Sequence, residues 1–148
     1  MDIIDINWDI VIRNLVQLGV AFVLALPIAV DREKASRSAG LRTFPLVAVA
    51  ACGYMLVGIS VLDSTDAEAR VLQGLITGIG FIGGGAILKS NGSVTGTATA
   101  ASIWNTGLIG VAVAFHRYEI ALLLAIFNVI TLRVVRRFKE DPDEEARS

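Results

Sequence analysis

The sequence predicts an all-α, polytopic transmembrane protein of about five membrane-spanning helices, and three observations carry that expectation. Hydrophobic residues make up 54% of the 148 residues and charged residues only 18%, where ordinary soluble domains carry roughly 25% charged residues. Mean hydropathy is +0.66. The charges are also segregated into short connections between apolar runs. Those runs are continuously apolar rather than alternating, which excludes a transmembrane β-barrel. A net charge of −1 provides no basic face for nucleic acid, and one cysteine cannot staple the chain to itself.

The first run covers residues 10–30 and holds a single charge, Arg13. Its leader contains Asp2, Asp5 and Asp9 and no basic residue, the reverse of a cleavable signal peptide. The second, third and fourth runs (44–62, 71–88 and 97–115) hold no charge. The fifth, 118–135, has Glu119 at its edge and reaches full length when Arg133 snorkels. Runs of this size cross a hydrocarbon core of roughly 30 Å at about 1.5 Å per residue. The third and fourth runs share the short polar connection 89–94, so a pair of re-entrant half-helices is the alternative to two full spans. With the N-terminus outside and the C-terminus cytoplasmic, ten Lys and Arg fall inside and two outside. That asymmetry sets the expected orientation and puts Trp8 and Tyr118 at the outer interface. The expected organisation is a membrane domain over 1–139 and a short acidic cytoplasmic tail over 140–148.

Several motifs have both a chemical and a structural reading. Residues 78–83 spell G-x-G-x-x-G, but no strand precedes them and no acidic residue lies between Thr77 and Tyr118 to hold a ribose. Helix packing explains the glycines better. Gly74/Gly78 and Gly80/Gly84 are spaced by four, and Ala98, Ser102, Thr106 and Gly110 form a second ridge of small residues. Such faces let helix backbones approach closely, within one chain or against another subunit or a partner's helix. Asn14, Gln17, Thr77, Asn105, Thr106 and Asn128 lie inside the runs, where interhelical hydrogen bonding is their commoner use and a lined pathway the rarer one. All 14 acidic residues lie outside the apolar cores, which weakens a proton relay or a dehydrated cation site.

In the first connection Asp31 stands near the negative end of one helix and Arg42 near the positive end of the next, each unfavourable alone. Pairing across the loop would relieve both, with Thr43 as N-cap and Pro45 in the first turn. The alternative makes Arg32, Lys34, Arg37 and Arg42 simple topology signals that touch anionic lipid. Cys52 reads as a buried inert thiol and His116 as a lone histidine, while Asp63, Asp66 and Glu68 read as a solvated outer loop. No nucleophile, acid and base converge, so no catalytic residue, cofactor or metal site is expected.

Asp31-Arg32, the A-G-L-R-T run at 39–43, the glycine-rich 78–87, Val94-Thr-Gly96 and the T-A-A-S-I-W run at 99–104 follow in this order. The series resembles the MgtC/SapB family of bacterial inner-membrane proteins over most of the chain. The resemblance implies a five-helix membrane protein tied to magnesium homeostasis. It further implies a modulator of other membrane machines, such as an ATP synthase or another membrane ATPase. The family's motif positions fall on Asp31, Arg32, Gly40, Leu41, Arg42, Thr43, Asp66, Arg70, Gly78, Gly80, Phe81, Gly83, Gly85, Gly96, Thr99, Ala100, Ala101 and Trp104. The residues themselves add Asn105 as a functional candidate and Gly74, Gly84, Ser102, Thr106 and Gly110 as packing or partner positions. With no catalytic constellation and with small-residue faces on helices three and four, a non-enzymatic homo-oligomer within the lipid bilayer is expected. The acidic position is more often Glu than Asp, and the family's helix-three glutamine aligns with Gly74. A short form without the ACT-like cytoplasmic domain of many members is expected. The alternative function is a small oligomeric channel or transporter for Mg²⁺ or another cation, lined by Asn105, Thr106 and Asn128.

Overall fold

The computed structural model describes residues 7–35, 39–90 and 93–145, with side chains described up to Val134 except at Ser90. Asp2, Asp5 and Arg37, and the side chains of the acidic tail, lie outside the described residues. Five helices follow in order: α1 (Trp8–Ala35), α2 (Thr43–Val61), α3 (Thr65–Gly85), α4 (Thr97–Ala114) and α5 (Tyr118–Glu145). Between α3 and α4 lies an antiparallel pair, β1 (Leu88–Ser90) and β2 (Ser93–Thr95), with Lys89 opposite Val94.

Three helices, α1, α2 and α4, are long and apolar enough to cross a membrane. With 21 residues, α3 has the length, and its first turns carry Asp66, Glu68 and Arg70. Both α3 and α4 are unbroken helices, of 21 and 18 residues. The predicted polar connection at 89–94 falls on β1 and β2, with residues 91 and 92 outside the described residues. Two helix ends also differ from the expected ones. Five residues beyond the expected end, α1 continues past Asp31 and Arg32, because these side chains satisfy each other as it does so. Six residues before the expected start, α3 begins with Ser64 as N-cap, whose hydroxyl accepts the Ala67 N–H at 3.3 Å. The backbone of α5 stays helical to Glu145, through part of the expected tail.

The centre of the bundle is α4, which packs on all four other helices. In its apolar stretch 61% of residues are buried, against 17% in that of α1. Small side chains make this possible. On α1 one face carries Gln17, Ala21, Ala25 and Ala29, all buried, and spaced by four so that they stack on one side of the helix. On α2, Ala48, Ala51 and Cys52 are fully buried against it. The outer surface is apolar: Phe81, Trp8, Leu46 and Phe127 are each more than half exposed. A water-facing monomer rarely shows so extensive an apolar surface; lipid is the solvent that suits it. The fold is that of an all-α membrane protein.

Candidate functional site

The residues singled out by sequence gather in three places, and the first is the end of the bundle where α1 stops and α2 starts. Asp31 and Arg32, consecutive on α1, are both buried and paired at 2.8 Å. The other Asp31 oxygen faces the Arg133 Nε of α5 at 3.6 Å. One carboxylate thus ties α1 to α5 with the help of two guanidiniums, and the expected Asp31–Arg42 pair does not form. The physical reason is that α1 runs on through Asp31, which brings the carboxylate within reach of Arg133 on α5. Arg32 Nε is buried without a hydrogen-bond partner among the described residues.

The turn into α2 is closed by a different acid. The Glu33 carboxylate accepts the Leu41 N–H at 2.9 Å, and a Cβ on Gly40 would overlap that carboxylate. Gly40 is therefore the residue that lets the turn lie against α1. Its carbonyl accepts the N–H groups of Thr43 and Phe44 at 3.0 and 3.2 Å. The N-cap is Arg42, with no side-chain cap bond, not Thr43 as expected; Pro45 does occupy the first turn, where its missing N–H costs nothing. Leu41 and Arg42 are exposed, and Arg42 has no acidic partner among the described residues. Sequence reasoning missed Glu33 and Arg133, which carry no motif of their own.

The second place is the seam of α4 with α5 and α1. Thr106 is fully buried and bonds back to the Ser102 carbonyl at 2.7 Å. Ser102 donates to Asn128 Oδ1 at 3.0 Å, and Asn105 donates to the Leu124 carbonyl at 3.2 Å. The Ser102–Asn128 and Asn105–Leu124 bonds join α4 to α5, while the Thr106 bond stays within α4. Thr99 is buried nearby, and Trp104 is half-exposed. Gly110 meets α2 so closely that a Cβ would overlap the Ala48 carbonyl and stand 2.9 Å from Cys52 N. Gly107 does the same against the Ile79 side chain of α3.

The third place is α3. Its Ile79 and Gly83 face α4, where a Gly83 Cβ would stand 3.1 Å from the Ala100 carbonyl. Gly74, Gly78, Gly80, Gly84 and Gly85 have nothing within 4 Å of a Cβ built on them. Those glycines do not hold the chain's own helices together. Gly74 and Gly78 border a groove of about 760 Å³ between α3 and α2. Gly80 and Gly84 lie on another side of α3, beside Phe81, which is 85% exposed. Asp66 and Arg70, at the far end of α3, are exposed and form no ion pair with each other. Gly96 joins the hairpin to α4 with φ of +86°, and a Cβ there would overlap the Ala86 carbonyl. Among the described residues no three His, Cys, Asp or Glu side chains gather at one point.

Known proteins share this pattern. A model of the MgtC family matches residues 18–141. The chain is 35% identical over 136 residues to the slr0014 protein of Synechocystis, covering 89% of this chain and 56% of that one. It is 30% identical to SapB of Bacillus subtilis, covering 95% and 66%, and 32% identical to MgtC of Salmonella typhimurium, covering 86% and 56%. It spans about half to two thirds of the length of these three relatives. No solved structure matches it. The family match over residues 18–141, most of this α-helical membrane bundle, places the chain in the MgtC family.

Proposed function

We propose that this chain is a non-enzymatic, multi-pass inner-membrane protein of magnesium homeostasis. It modulates another membrane complex by docking a partner helix within the bilayer. The observation that carries this reading is the outer side of α3. Gly80 and Gly84 stand four residues apart with open space above them, and Phe81 beside them is almost fully exposed. A glycine pair with no neighbour gains nothing for its own fold; against a second helix it allows close backbone approach and the dispersion contacts that go with it. The partner is a transmembrane subunit of a membrane ATPase or ATP synthase, or a second copy of the chain. The magnesium link rests on family membership; one relative, YhiD of Escherichia coli K12, carries the provisional name of a magnesium transporter. Basic residues at the Asp31–Arg42 end support an external N-terminus and a cytoplasmic C-terminus.

The test is co-purification from membranes in mild detergent, with crosslinking to fix the contact. Gly80→Leu and Gly84→Leu should remove the partner while the chain stays folded, because both positions face open space. Undiminished partner recovery from both variants would rule out this surface.

One observation favours a second reading, a small cation channel. Asn128 Nδ2 is buried in the α4–α5 seam without a partner among the described residues, as a side chain awaiting a ligand or water would be. This reading predicts magnesium flux into dye-loaded liposomes that Asn105→Leu removes. Silence of folded parent protein in that assay would end it.

A further inference from the structure

The groove between α2 and α3 belongs to neither reading, and its lining is amphiphilic in a specific way. Its walls are Leu46, Ala50 and Tyr54 of α2 and Gly74, Leu75 and Gly78 of α3. It is open because Gly74 and Gly78 project nothing toward Ala50 and Ala51. At one end stand Arg42 and Thr43, and among the described residues no acidic side chain lines any part of it. The Asp31 carboxylate at the same end of the bundle is already engaged by Arg32 and Arg133. Arg42 thus has no acidic partner among the described residues and is open to an anion.

From these observations we infer that the α2–α3 groove seats one anionic phospholipid, its phosphate on Arg42 and Thr43 and one acyl chain along Gly74 and Gly78. The guanidinium offers a planar fork that fits two phosphate oxygens, and the Thr43 hydroxyl adds a donor beside it. From Arg42 to Tyr54 is twelve residues of α2, about 18 Å along the helix. That matches one leaflet of a core roughly 30 Å thick. The volume of about 760 Å³ lies within the ordinary range of small-molecule sites, about 300–1,000 Å³. Basic pockets between membrane helices recognise anionic headgroups in this manner. An amphiphile with a charged head and an apolar tail satisfies both ends of the groove.

Native mass spectrometry of the purified full chain tests this, with phosphatidylglycerol and phosphatidylcholine of identical acyl chains offered in equal amounts. One phosphatidylglycerol per chain should be retained, with a preference of about tenfold, the worth of one charge-assisted contact. Arg42→Gln should reduce that preference to parity. Gly78→Leu, which fills open space and so leaves the fold intact, should remove both adducts. Lys34→Gln, an exposed cation on α1, should change nothing. The inference would be overturned by equal retention of both lipids by the parent, an unaltered preference in Arg42→Gln, an equal loss in Lys34→Gln, or glycerol phosphate binding as well as the lipid. A dimer mass that excludes lipid would assign the groove to a second copy instead, and would also overturn it.

Discussion

Gln17 of α1 donates from Nε2 to the carbonyls of Val113 and Ala114, at 3.1 and 3.3 Å, where α4 ends in the middle of the bundle. The last turn of a helix leaves carbonyls without intrahelical partners. Here the backbone supplies part of the remedy. His116 N–H reaches the Val113 carbonyl at 3.0 Å and Arg117 N–H the Ala112 carbonyl at 2.8 Å, the paired bonds of a Schellman ending. Ala114 is left over, and Gln17, only 4% exposed, supplies its donor. Gln17→Leu should therefore destabilise the protein by about 1–2 kcal/mol, read as a lower unfolding midpoint in detergent. An unchanged midpoint would mean that water already serves the Ala114 carbonyl.

The glycines separate into two classes with opposite expected effects. Gly110→Ala forces a Cβ onto the backbone of α2, which cannot move aside as a side-chain tip can. A loss of about 1–3 kcal/mol is expected. Gly84→Ala meets open space and should be neutral, or gain up to about 1 kcal/mol from helix propensity. Thermal unfolding of the two variants side by side decides the matter. Equal losses would show that α3 has a covering neighbour under the assay conditions, such as a second copy.

The buried acid gives a coupling prediction. Asp31 contacts Arg32 and Arg133, so a double-mutant cycle of Asp31→Ala with Arg32→Ala should show a coupling of at least about 1 kcal/mol. The single Asp31→Ala change should be costly, about 3–5 kcal/mol, because it leaves a buried guanidinium uncompensated. Asp31→Ala and Arg42→Ala should simply add. Strong coupling to Arg42 in place of Arg32 would contradict the observed pairing.

How much of this was legible in the sequence depended on whether the signal was local. The apolar runs are bounded by charges, so all five helices could be read from charge positions alone. The end of α1 could not, because it depends on Asp31 finding Arg133 about a hundred residues away. The β1–β2 pair is not legible either, because three-residue strands are too short to show alternation. Spacing of four marks Gly74/Gly78 as clearly as it marks Ser102/Thr106. Only the structure separates them, by placing α4 at the centre and the Gly74/Gly78 side of α3 on an open groove.

Two backbone positions with positive φ make the last prediction, and they point in opposite directions. Gly96, at φ +86°, lets the hairpin enter α4 with its Cα hydrogen against the Ala86 carbonyl. Any side chain adds both backbone strain and overlap, so Gly96→Ala should lose about 2 kcal/mol or more. His116 occupies the mirror situation at the other end of α4, a non-glycine residue at φ 57° in the position where helices most often place glycine. His116→Gly relieves that strain and should gain up to about 1 kcal/mol, reduced by loss of the edge-on contact with Tyr118 at 6.0 Å. Unfolding midpoints of the two variants should move apart, Gly96→Ala down and His116→Gly up. A fall for His116→Gly would show that its ring contributes more at this end of α4 than its backbone costs.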